Sequence, residues 1–295
     1  MNPSLDSFQK PLETEAILEV VKNNKLSSSH PAEPAILKKI MSLIDLTSLS
    51  TTDTDTKLAK MCRLVNDFPE KFPEIPNVAA ICVYPVFVPV IKKNLSVLSV
   101  NIASVAGSFP SSQSFIEIKE QEVKMAVQAG ATEIDIVLNV GAFLISHYNE
   151  VFEEIRRLKE CAEKAKLKVI LETGALPDYS SVRTAAFLAM EAGADFIKTS
   201  TGKLSPAATP DKFYVMLDAI RDYQKLTGKK VGIKAAGGIA TAEDAMLFYS
   251  LTEEILGKSW LHNGLFRIGA SRLANNLIST ILLTPGSRDV PIVYF

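Results

Sequence analysis

From residue 41 onward the chain alternates short β-branched runs with longer segments of helical period. The runs are Ser42–Thr47, Val78–Val83, Leu98–Val105, Glu133–Leu138, Lys168–Glu172, Asp195–Ser200, Val231–Ala235 and Leu265–Gly269. Between them lie amphipathic stretches such as Ser114–Ala129, Val151–Lys166, Ser180–Glu191 and Pro210–Leu226. Strict βα alternation predicts a parallel sheet, and eight units predict its closure into an α/β fold of the (β/α)₈ TIM-barrel type. Residues 1–40 read as a helical extension, with helical period from Leu12, a break at Ser27-Ser-Ser-His-Pro and a second short helix near Pro34–Ile40. No Pro-, Gly- or Ser-rich linker divides the chain, so one domain is expected over 1–295, with the barrel at 41–283 and a flexible tail at 284–295.

Within the runs, period-two alternation separates two faces. Ile134 and Ile136 oppose Asp135; Ile197 and Thr199 oppose Phe196 and Lys198; Val231 and Ile233 oppose Gly232 and Lys234. In the first run Ile44 and Leu46 oppose Leu43 and Asp45, and in the fifth Val169 and Leu171 oppose Ile170 and Glu172. The aliphatic face suits packing against helices, which leaves Asp45, Asp135, Glu172, Lys198 and Lys234 converging on the barrel interior. An internal echo strengthens this. Ala129-Gly-Ala-Thr-Glu-Ile-Asp135 and Ala192-Gly-Ala-Asp-Phe-Ile-Lys198 share a glycine helix exit and a strand, so Asp135 and Lys198 fall at one height on strands of equal parity.

Alone, a strand-end lysine snorkels to solvent. Two on adjacent strands with carboxylates at equivalent heights point to chemistry instead, because burial and a second cation both depress a lysine pKa and yield a nucleophilic amine. Two lysines and a carboxylate, without histidine or metal ligands, suit imine formation on a carbonyl. Asp135 then either neutralises the lysines or moves protons; Asp45 and Glu172 either share that work or support it by hydrogen bonding. Cys82 also projects inward and reads best as a small buried apolar residue.

Small residues follow the last three strands: Thr199-Ser-Thr-Gly-Lys203, Gly237-Gly238 and Gly269-Ala-Ser271. Glycines after strands are common turn residues, but on three consecutive strands they suggest backbone N–H groups open to a phosphate. The first of these is not a Walker A loop, since Ile197 and Leu204 occupy positions that its Gly and Ser/Thr require.

Composition narrows the function. A formal net charge of −1 and 22% charged residues supply no basic excess for a nucleic-acid or membrane partner. The three cysteines, Cys62, Cys82 and Cys161, are widely spaced, with no CxxC or Cys/His cluster, so neither a disulfide framework nor a metal or other cofactor is expected. The opening MNPSLDSFQKPLETE lacks a signal-peptide profile, and the apolar stretch Ile81–Ile91 is too short to span a bilayer. A soluble cytoplasmic protein is expected, with homodimer formation left open.

The segments Leu43-Ile-Asp-Leu-Thr, Ala80-Ile-Cys-Val-Tyr-Pro, Glu133-Ile-Asp-Ile-Val, Leu171-Glu-Thr-Gly, Asp195-Phe-Ile-Lys-Thr-Ser-Thr-Gly-Lys, Gly232-Ile-Lys-Ala-Ala-Gly-Gly and Phe266-Arg-Ile-Gly-Ala-Ser occur in the order found in deoxyribose-phosphate aldolases. The chain resembles that family from about residue 40 to 280. The resemblance implies reversible, metal-independent cleavage of 2-deoxy-D-ribose 5-phosphate to acetaldehyde and glyceraldehyde 3-phosphate. It implies Lys198 as the Schiff-base lysine, Lys234 as the lysine that lowers its pKa, Asp135 as proton relay and Asp45 as an active-site aspartate. It places phosphate binding on Gly202, Lys203, Gly237, Gly238, Gly269 and Ser271. Ala240 stands where the family commonly has Arg, and Arg272 where a second Ser often follows, which suggests a guanidinium relocated within the phosphate site. Many members carry a terminal tyrosine that reaches the site; here the sequence reads Val293-Tyr294-Phe295, a departure from that pattern. The alternatives are a barrel aldolase for another sugar phosphate and a non-catalytic phosphosugar-binding barrel.

Overall fold

The computed structural model describes residues 10–28, 33–282 and 292–295. Eight parallel strands close in sequence order: β1 Ile44–Thr47, β2 Ala80–Val83, β3 Asn101–Val105, β4 Glu133–Val137, β5 Lys166–Ile170, β6 Phe196–Lys198, β7 Gly232–Ala236 and β8 Phe266–Ala270. Two helices precede the barrel, α1 Thr14–Ser28 and α2 Pro34–Met41. The first crossover is α3 Asp55–Lys71, and the last strand is followed by the helix Leu273–Leu282. Both glycines of the Ala-Gly-Ala echo have left-handed φ, 115° at Gly130 and 100° at Gly193, so each helix stops where the sequence predicts.

The aliphatic parity of every strand lies outside, between barrel and helices. Ile44, Ile134, Ile136, Val169, Ile197 and Ile233 are fully buried there. The other parity fills the lumen. Each step along a layer advances one residue beyond the hydrogen-bonded partner, the stagger of an eight-stranded barrel. Three layers of four side chains result. The lowest is Ala80, Glu133, Phe196 and Arg267; above it stand Asp45, Ala103, Lys168 and Lys234; the next holds Cys82, Asp135, Lys198 and Gly269. Branched aliphatics ordinarily dominate such layers. Here β2 and β3 contribute a small apolar cluster of Ala80, Cys82, Ala103 and Val105, and the remaining strands contribute ions.

Of the stretch expected to be a flexible tail, residues 284–291 lie outside the described residues, whereas 292–295 pack. Tyr294 stands edge-on to Phe68 and Phe72 at 5.6 and 5.2 Å, and Phe295 stacks on Phe68 at 5.5 Å. The Asn275 side chain accepts from the Tyr294 and Phe295 N–H groups and donates to the Phe295 carbonyl. Tyr294 Oη donates to the Leu64 carbonyl at 2.8 Å, so its hydroxyl is engaged on α3. Tyr294→Ala is expected to lower the unfolding free energy by about 2 kcal/mol in urea denaturation, through lost ring burial and an unpaired Leu64 carbonyl.

Candidate active site

The staggered pairing puts Asp135 and Lys198 in one layer, as the echo predicts, with Asp45 and Lys234 one layer below. Asp135 is the hub. Its Oδ2 accepts from Lys198 Nζ and from Lys234 Nζ, each at 2.8 Å, and its Oδ1 accepts from Lys168 Nζ at 2.8 Å. Lys234 Nζ also lies 2.5 Å from Asp45 Oδ2, and Lys168 Nζ 2.6 Å from Glu133 Oε2. Below, Arg267 spans Asp45 Oδ1 at 2.5 Å and Glu133 Oε1 at 2.7 Å, with Asn101 Nδ2 donating to the same Glu133 oxygen at 2.8 Å.

Lys168, Glu133 and Arg267 were not among the expected site residues. Their parity already placed them inward, but they occupy the early half of their strands, where a charge ordinarily reaches solvent. Only closure of the barrel shows that this end is sealed and that the three complete a network. Glu172 departs from the expected inward strand position and takes the supporting, hydrogen-bonding alternative. β5 ends at Ile170, and Glu172 sits off the strand at φ 52°, so the alternation argument no longer applies to it. Its carboxylate accepts from Thr201 N at 3.1 Å and Thr201 Oγ1 at 2.6 Å, bracing the loop after β6 rather than joining the ions.

The three lysines of the network differ in their electrostatics. Burial acts to lower all three. At Lys234 the Asp135 and Asp45 charges outweigh burial and raise the pKa well above the usual lysine value. At Lys168 the charges of Asp135, Glu133 and Asp45 do the same. Lys198 contacts one carboxylate, which it shares. Burial together with the Lys234 charge outweighs Asp135, so its pKa is lowered. Burial disfavours charge on Asp45 and Asp135 too, but the cations around them win and hold both below the usual carboxylate range. Burial pushes the Cys82 thiol up.

Above the layers opens a cleft of about 500 Å³ at the C-terminal strand ends. Lys198 lies at its base, while Lys234, Asp135 and Asp45 are buried behind it. The expected phosphate residues Gly202, Lys203, Gly237, Gly238, Gly269 and Ser271 all line this cleft, as do Ala240, Arg272 and Lys57. Lys57 was not foreseen; it sits on α3, with Asp53 2.5 Å away. Lys203 Nζ donates to the Leu49 carbonyl across the cleft at 2.6 Å. Small residues are required here for space. A Cβ on Gly237 would stand 2.5 Å from Ala207 Cβ, and one on Gly269 would stand 2.9 Å from Lys234 Cε. Among the described residues, no group of three or more His, Cys, Asp or Glu side chains is arranged to hold a metal ion, and no helix is long and apolar enough to cross a membrane.

A closed barrel with an ionic centre beneath a cationic cleft at the C-terminal strand ends has the architecture of a (β/α)₈-barrel enzyme. Residues 39–256 match the model of the DeoC/LacD family aldolases. The chain is 44% identical over 245 residues to a protein from Caenorhabditis elegans named putative deoxyribose-phosphate aldolase, covering 82% of this chain and 80% of that one. It is 40% identical over 260 residues to the deoxyribose-phosphate aldolase of Homo sapiens, covering 83% and 80%. A crystal structure of a putative deoxyribose-phosphate aldolase from Coccidioides immitis superposes with a TM-score of 0.71 at 28% identity, over 92% of this chain and 99% of that one. The chain belongs to the DeoC/LacD family and is an aldolase.

The lowered Asp45 and Asp135 pKa values make stability depend on pH. Unfolded aspartates titrate near pH 3.9. Above that value their contribution is fully present, and it is lost as pH falls toward the folded values. Urea denaturation between pH 6 and pH 3 is expected to show stability falling below about pH 4, more steeply than in Asp135→Asn.

Proposed function

We propose that the protein is a deoxyribose-phosphate aldolase in which Lys198 forms the Schiff base. One observation carries the reading: of the three lysines around Asp135, Lys198 is the one that lines the cleft, and it is the least compensated. The names of the relatives supply the substrate.

In this mechanism the neutral Lys198 amine attacks C1 of the open-chain sugar, and the carbinolamine loses water to give an iminium. The cation forms 2.8 Å from Asp135 Oδ2, which stabilises it. The C3 hydroxyl then loses its proton, to Asp135 or to a water held by it. The C2–C3 bond breaks, its electrons form the enamine, and glyceraldehyde 3-phosphate leaves. Protonation of the enamine at C2 and hydrolysis of the resulting iminium release acetaldehyde. Asp135, held ionised by the lysines around it, both stabilises the cation and receives the C3 proton directly or through that water, with Lys234 as the proton-bearing partner beside it. Gly202, Lys203, Gly237, Gly238, Gly269 and Ser271 receive the phosphate, supported by Arg272, which lines the same cleft. The three cysteines are free and buried, which supports a cytoplasmic location.

Borohydride with acetaldehyde is expected to trap an adduct that peptide mass spectrometry maps to Lys198; an adduct on Lys234 instead would reverse the assignment. Lys198→Ala should lower kcat by roughly a thousandfold or more. Comparing acetaldehyde with dihydroxyacetone as donor checks the substrate, since a preference for dihydroxyacetone means another aldolase of this class. Arg272→Ala should raise KM for the phosphorylated sugar by roughly tenfold with little change in kcat, as expected for a lost contact to phosphate.

A further inference from the structure

The lowest ionic layer lies beyond the reach of a substrate in the cleft. Glu133 and Arg267 are 1% exposed and separated from the cleft by Lys168, Lys234 and Asp135. An ion pair buried at that depth is a weak source of stability, since desolvation offsets most of its attraction. Yet both residues are wired to the hub. One chain of contacts runs Arg267–Asp45–Lys234–Asp135–Lys198, and a second runs Arg267–Glu133–Lys168–Asp135. We infer that Arg267 and Glu133 are positioning residues that set the protonation state of Lys198 by fixing how Asp135 is divided among the three lysines.

The charges balance when one lysine is neutral, and Lys198, with a single shared carboxylate, is the one the contacts leave for that role. Asp45, Glu133 and Asp135 are three formal anions; Lys168, Lys234 and Arg267 are three cations. That leaves Lys198 as the surplus group, and a neutral amine there closes the network at zero. The groups facing Lys198 are Asp135 from β4, Lys234 from β7 and Cys82 from β2. Lys168 on β5, Asp45 on β1 and Arg267 on β8 stand behind them. Without Arg267, Asp45 and Glu133 would draw Lys234 and Lys168 away from Asp135, which would then pair with Lys198 and hold it protonated. Without Glu133 the surplus of positive charge grows, and Lys198 loses its proton more readily. The lowered pKa of Lys198 agrees with this arrangement.

The inference rests on Lys198 being the Schiff-base lysine, and the test separates the two. For wild type, Arg267→Met, Glu133→Gln and the double variant, kcat/KM for deoxyribose 5-phosphate is measured against pH. Cyanoborohydride trapping with acetaldehyde, mapped by mass spectrometry, is run in parallel. The midpoint of the acid limb should rise by about one pH unit in Arg267→Met, a tenfold loss of neutral amine below it. It should fall by a similar amount in Glu133→Gln and return near the wild-type value in the double variant, where charge is balanced again. Arg267→Lys should hold the wild-type midpoint. A purely structural role for the pair would lower activity without moving the midpoint. If Arg267→Met does not fold, the Glu133→Gln shift and its reversal in the double variant decide the matter. Adducts on Lys198 with unmoved midpoints would overturn this inference alone; no adduct on wild-type Lys198 would overturn the lysine assignment beneath it.

Discussion

One carboxylate shared by three lysines organises this protein. Asp135 contacts Lys168, Lys198 and Lys234 at 2.8 Å each, in the buried interior of the barrel. Every ion there must be matched, because an uncompensated buried charge costs several kcal/mol. Lys168 and Lys234 are matched by further acids, Glu133 and Asp45. Lys198 is not, and this shortage, with burial, lowers its pKa in the direction that chemistry on a carbonyl needs.

The apolar architecture serves that arrangement. The fold is held by the aliphatic shell between strands and helices, where Ile134, Ile136, Val169, Ile197 and Ile233 are fully buried. Stability from that shell allows the lumen to carry ions that add little of their own. Space is managed by small side chains. Gly269 stands within the layer of Lys198 and leaves room for the Lys234 stem, and Ala80, Cys82 and Ala103 fill the opposite wall. The cleft above collects Lys203, Arg272 and Lys57, so positive charge lines it above Lys198 at its base.

Periodicity alone made much of this legible. Alternation of β-branched runs and helical segments predicts eight strands, and the eight observed strands fall within those runs, give or take two residues at β5 and one at β7 and β8. Period-two parity, with the repeated Ala-Gly-Ala exit, places Asp135 and Lys198 at one height, because side-chain direction and helix stops are local properties of the chain. The family motifs add the residues expected to bind phosphate, all of which line the cleft.

What the sequence could not decide depends on closure. Whether an inward charge at the start of a strand is solvated or sealed is a property of the whole barrel, so Glu133, Lys168 and Arg267 emerge only in three dimensions. Glu172 has the right parity but follows a strand that has already ended, and its left-handed backbone turns it to Thr201. Tyr294 is likewise fixed by a long-range contact with Phe68, Phe72 and Leu64 that no local pattern encodes. The sequence by itself determined which residues face inward. The tertiary structure decided which of those ions are paired, and so why Lys198 is the one set apart.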